Sequence, residues 1–303
     1  MCAPAAAQDF PAKQPIKIVV PYPPGGGTDV LARITAEFLQ RRLNQSVIVE
    51  NRAGAGGSIG ANFVNKAPPD GYTLLFLPGG DLMAAPAVKT NLPYKYDDFT
   101  YLVRAFTFTP LLIADPKLPV STVPELVAYM KANPNTVSAG VPGIGHIVHM
   151  STLLFESATG TKSIVVPFPG SGPIYSAMMA GQIGITMATP PFLDGLKVLG
   201  SVGTQRSPLW PDKPTLEESG IKGATWDLWF GFVAPPNMPK PLADRLIAEI
   251  NAVLKTPEAI AKYKAASSVP EAEPLTGEAF KRKTTEEYNG WRAVVVREKI
   301  VVD

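Results

Sequence analysis

The chain has 303 residues, enough for two lobes or one large domain and enough to bury a core without disulfides or metals. A formal net charge of +2 supplies no basic stripe, which argues against nucleic acid as a partner, and no run approaches the ~18 apolar residues that span a bilayer. The lone cysteine, Cys2, excludes a disulfide framework and thiol redox chemistry, and two histidines, His146 and His149, cannot hold zinc without carboxylates from elsewhere.

The N-terminus, with Ala5-Ala6-Ala7 before Gln8, resembles the small-residue end of a secretory signal, so an exported protein is expected; an engineered or flexible tail is the alternative. Ile16 to Val20 is then a β-branched strand that ends in Pro21-Tyr22-Pro23-Pro24-Gly25-Gly26-Gly27-Thr28-Asp29. In the helix that follows, Val30, Leu31, Ile34, Phe38 and Leu39 recur with the 3.6-residue period. Three glycines let a guest approach the backbone closely, and the first helical amides, with the positive end of the dipole behind them, suit an anion. A Walker loop needs Gly-Lys-Ser/Thr where this chain reads Gly-Thr-Asp, so nucleotide phosphate is disfavoured. Thr28 or Asp29 can equally be read as a plain helix cap.

Ser46 to Glu50 is a second strand, followed by Asn51-Arg52-Ala53-Gly54-Ala55-Gly56-Gly57 and a helix carrying Ile59, Phe63 and Val64. Gly54, Gly56 and Gly60 are one residue off the dinucleotide spacing, which reads as close backbone packing. After the Pro68-Pro69-Asp70-Gly71 turn, Tyr72 to Leu77 is a buried strand ending in Pro78-Gly79-Gly80-Asp81. This β-α-β-α-β order implies a parallel sheet whose ligand lies beyond the carboxyl ends of the strands, where the loops at 21–29 and 78–81 share an edge.

From about Phe106 the alternation restarts, with strands expected at 111–114, 136–141, 163–166, 183–187 and 198–202. Pro142 to His149 and Pro167 to Pro173 again run from a glycine loop into a helix, so two α/β lobes each offer helix N-termini. Trp226 to Pro235 is an aromatic strand. Trp226, Trp229, Phe230 and Phe168 could line an aromatic-acid pocket, although so apolar a strand is more often core. The helices expected at 241–254, 257–266 and 276–297 bring no sheet of their own, and with Leu242, Leu246, Ile250 and Leu254 facing inward they must pack on an existing lobe.

Four blocks in order, 18–29, 49–57, 67–74 and 167–173, resemble the periplasmic solute receptors of tripartite tricarboxylate transporters, the Bug-type binding proteins, and the likeness runs from about Pro15 to Ala293. The resemblance implies an α/β, two-lobed periplasmic binding protein of type II, a Venus flytrap with lobe one at 1–105 and 221–303 and lobe two at 106–220. It implies a monomeric periplasmic receptor that closes on a small carboxylic acid and delivers it to membrane permease subunits, with no cofactor, no metal and no catalysis. A periplasmic sensor is the alternative. A hydrolase is a more distant one, since no G-x-S-x-G elbow or base beside Ser171 is evident.

Carried over by residue, the resemblance makes Pro24 to Asp29 the first contact loop, with Gly26 and Gly27 supplying amides and Asp29 capping or holding water. Gly79 and Gly80 follow the third strand, and Asp81, where small hydroxyl residues are usual, would turn that side toward a ligand hydroxyl or amine. Gly143, Gly145 and His146 form the opposing loop; His146 stands where Ser or Thr is usual and, protonated, could pair with a carboxylate, while His149 matches a customary histidine that packs or orients. Gly170, Ser171 and Gly172 head another helix and could reach the ligand, with plain capping as the alternative for Ser171. Thr189 lies near the cleft, and Gly184 stands where an Asp is common.

Overall fold

A computed structural model describes residues 10–88, 91–188, 195–266 and 268–297. The first sheet starts with β1 (Ile16–Val20), β2 (Val47–Asn51) and β3 (Thr73–Pro78), joined by α1 (Gly27–Leu43) and α2 (Ser58–Asn65). β1 lies between β2 and β3 and is parallel to both, as two consecutive βαβ units require. A short α3 (Ala84–Val88) precedes β4 (Thr100–Phe108), a strand absent from the sequence reading.

The chain then enters a second sheet of β5 (Leu111–Ala114), β6 (Ser138–Val141), β7 (Ile164–Pro167), β8 (Ile185–Ala188) and β9 (Lys197–Ser201), in the order β7-β6-β8-β5-β9. Its helices are α4 (Val123–Ala132), α5 (Ile147–Thr159) and α6 (Ser171–Met179). β10 (Leu228–Ala234) returns to the first sheet and completes the order β2-β1-β3-β10-β4.

The expected parallel sheets are therefore mixed. β10 is antiparallel to β3 and β4, and β5 is antiparallel to β8 and β9. β4 and β5 flank one crossing between the sheets, and β9 and β10 flank the other. The first sheet also runs on to Phe108, past the boundary expected at 105, while Trp226, expected in lobe one, donates its N–H to Val202 O beside β9 at 3.0 Å.

Aromatic side chains weld β3, β10 and β4. Phe76 lies 4.5 Å from Phe232 and 6.1 Å from Phe230 between ring centroids, and Phe106 meets Tyr263 edge-on at 5.0 Å. Tyr263 belongs to α8 (Pro257–Ala265), which with α7 (Lys240–Leu254) and α9 (Gly277–Arg297) returns to the first sheet. Leu242, Leu246, Ile250 and Leu254 are buried, in line with their helical spacing. Arg42 pairs with Glu249 at 2.9 Å and Lys262 with Glu37 at 2.7 Å, which orients α7 and α8 on α1 more than it stabilises them. No described helix is long and apolar enough to cross a membrane.

Candidate ligand-binding site

The carboxyl ends of both sheets face one cavity, whose empty volume is about 750 Å³ including the part open to solvent. Pro24, Gly26 and Gly27 line it from the first sheet. Gly26 is the N-cap of α1 and brings no side chain, so the first amides of that helix have no capping partner from it.

Asp29 does not line the cavity. Its Oδ2 accepts the Gly25 N–H at 3.0 Å and Arg33 Nε–H at 2.9 Å, and its Oδ1 accepts from Asn51 Nδ2 at 2.8 Å. Asn51 also donates to the Tyr22 carbonyl at 3.0 Å. Burial works against the charge, but the donors from Arg33, Gly25 and Asn51 outweigh it and hold the carboxyl below its ordinary range. The expected ligand contact is corrected to a clasp that shapes the loop from behind.

Gly79 and Gly80 are corrected as well. Only Pro78 of that turn lines the cavity. A Cβ on Gly79 would lie 2.1 Å from the Trp229 ring, and one on Gly80 would lie 2.4 Å from Ile147 Cβ, so both are glycine for close packing. Asp81 is fully buried and takes the Tyr22 hydroxyl on both carboxylate oxygens, at 2.7 and 2.9 Å, where a ligand hydroxyl or amine was expected.

From the second sheet, His146 lines the cavity, is 5 % exposed and caps α5 by accepting the Val148 N–H on Nδ1 at 3.2 Å. An Nδ1 that accepts from the backbone leaves Nε2 as the ring nitrogen available to the cavity. His149 Nδ1 accepts the Gly145 N–H at 3.1 Å, the orienting role expected of it, and Gly145 serves that turn without lining the cavity. Gly143 lines a neighbouring groove, where a Cβ would stand 2.9 Å from Gly56 Cα of the first sheet's second glycine loop.

Gly170 and Ser171 line the cavity. Gly170 is the N-cap of α6 and Ser171 its first helical residue, so Ser171 is not the cap. Thr189 lies outside the described residues. The floor consists of Trp226 and Phe230, weighed in the sequence as aromatic-pocket residues against core, with Leu228, and Met187 from β8, neither of which the sequence singled out. Leu228 and Phe230 alternate along β10, and Trp226 continues the same spacing two residues before it. Trp229 points the other way and donates Nε1–H to Glu287 at 2.6 Å, and Phe168 lines the neighbouring groove. The described residues lining the cavity include no Lys, Arg, Asp or Glu.

A family model described as the tripartite tricarboxylate transporter family receptor matches residues 31–296. BugT of Bordetella pertussis is 33% identical over 278 residues, covering 89% of this chain and 85% of its own. The structure of the periplasmic binding protein BugD superposes with a TM-score of 0.89 at 29% identity, covering 95% of this chain and 99% of that one. An R. palustris protein solved with adipate superposes with a TM-score of 0.90 at 29% identity, covering 97% and 99%.

Proposed function

The chain belongs to the tripartite tricarboxylate transporter receptor family, and on that premise we propose that it is a periplasmic receptor that closes its two lobes on a small carboxylate. The observation that carries the reading is the meeting of α1 from one sheet and α6 from the other, by their N-termini, on one cavity without an acidic side chain among its described lining residues. Orphan amides and two positive dipole ends favour a negative guest there by electrostatics alone. The lobes meet in hinge fashion at the chain crossings around Pro110 and 203–227, and closure would bury the guest between them.

In this reading the ligand contacts are the amides of Gly26 and Gly27, the α6 head at Gly170 and Ser171, and His146, with Pro24 shaping the rim. Catalysis plays no part in it. Adipate in the similar R. palustris structure supports carboxylate as the guest class. The loaded receptor hands its ligand to the permease subunits of a tripartite transporter. A calorimetric titration of carboxylates against their primary amides tests the binding step. Acids should bind and raise the melting temperature while amides do neither, and equal affinity for both would remove the anion site. Uptake of the bound acid by permease-containing vesicles should require added receptor; receptor-independent uptake would overturn delivery.

A further inference from the structure

We propose that the ligand is a monocarboxylate with an apolar ring as its body, not a dicarboxylate; this rests on the carboxylate reading above. The amide donors are gathered. A Cβ on Gly170, the cap of α6, would stand 3.1 Å from Pro23, so the α6 head packs against the turn leading to α1, and both heads line the one cavity. One carboxylate suits that pair of heads.

One wall of the cavity is carbon, while Thr28, Ser171 and Tyr175 also line it elsewhere. Trp226, just before the returning strand, and Leu228 and Phe230 on it are each about 5–6 % exposed and line the cavity together with Met187. The polar atoms of this wall are engaged with one another: Ser151 on α5 accepts the Trp226 indole N–H and donates its hydroxyl to Met187 Sδ at 2.7 Å. What Trp226 and Met187 offer a guest is therefore an apolar surface.

A second carboxylate has no cation to meet among the described lining residues. Arg33, the nearest cation in sequence to the α1 head, is bound to Asp29 at 2.9 Å, and the His146 Nδ1 is occupied by the Val148 N–H. A second charge placed against Trp226 and Phe230 would be stripped of water with no cation among the described lining residues to replace it. A ring would lose nothing there and would gain apolar burial and edge or face contact with the two aromatic side chains.

The test is calorimetry on the intact chain with benzoate, benzamide, terephthalate, adipate and malate. Benzoate should bind at least tenfold more tightly than adipate or malate. Terephthalate, which adds a second carboxylate across the same ring, should bind at least tenfold more weakly than benzoate. Trp226→Ala or Phe230→Ala should weaken benzoate at least tenfold, with circular dichroism and melting temperature showing that each variant folds. Should either fail to fold, the benzoate-to-terephthalate ratio on the unmodified chain decides alone. Adipate or malate equal to or tighter than benzoate overturns the ring proposal and leaves the carboxylate reading standing. Benzamide as tight as benzoate, or no binding by any acid, overturns the carboxylate reading itself.

Discussion

The Tyr22 hydroxyl donates to both oxygens of the buried Asp81 carboxylate, at 2.7 and 2.9 Å, and so ties the turn before α1 to the turn after β3. Burial, then the neighbouring Asp81 charge, push the Tyr22 pKa well above its ordinary value, so the hydroxyl stays protonated and donating at physiological pH. Tyr22→Phe keeps the ring that meets His146 edge-on at 5.8 Å but removes this donor from a buried carboxylate. The expected cost is about 1–3 kcal/mol in urea unfolding. A loss under about 0.5 kcal/mol would mean that the pair does not hold the two turns together.

Two glycine substitutions should separate ligand binding from folding. At Gly26 φ is −78° and an added Cβ meets nothing within 4 Å, so valine fits the backbone and projects toward the guest. Gly26→Val is expected to keep the ligand-free melting temperature and to lose the shift caused by a bound acid. At Gly143 φ is +133° and the Cβ would press on Gly56. Gly143→Val should therefore lower stability as well as affinity, because strain and a block to lobe approach arrive together. A fully stable Gly143→Val that binds normally would contradict the contact between the two glycine loops.

Much of this architecture is legible in the residues, since the units at 16–43 and 163–179 are local: a short apolar run, a glycine loop, then an amphipathic helix. β4 is harder to read. Of its residues 100–108, six are buried, so period-two alternation is blurred. The antiparallel course of β5 and β10 is not written in their own residues at all, because it depends on which sheet the neighbouring strand belongs to. In the site, glycine loops identify the amide ends but not their partners. Asp29 and Arg33, spaced i to i+4, could have been read as a pair, whereas Asn51 reaches them only through the folded sheet. Gly79 and Gly80 show the opposite failure, since glycine that packs against Trp229 and Ile147 looks the same in sequence as glycine that approaches a ligand.

His146 caps α5 through its side chain, with Nδ1 accepting the Val148 N–H at 3.2 Å. His146→Asn, which can still cap α5, should retain more stability than His146→Leu.

Asp29 should give the loop an acid-sensitive contribution of definite sign. Burial raises its pKa, but hydrogen bonds from Arg33, Gly25 and Asn51 prevail and leave it lowered in the folded state. A carboxyl whose folded pKa lies below the unfolded value of about 3.9 adds stability in full above that value and loses it as pH falls through the folded pKa. Asp29→Asn cannot make the ion pair with Arg33, so it should be less stable than the unmodified chain at neutral pH. The gap should narrow below about pH 4, where the native carboxyl takes up its proton and the charged advantage fades. Urea midpoints for both proteins between about pH 2.5 and 7 measure the gap directly. A difference independent of pH would show that the clasp works through shape and not through the Asp29 charge.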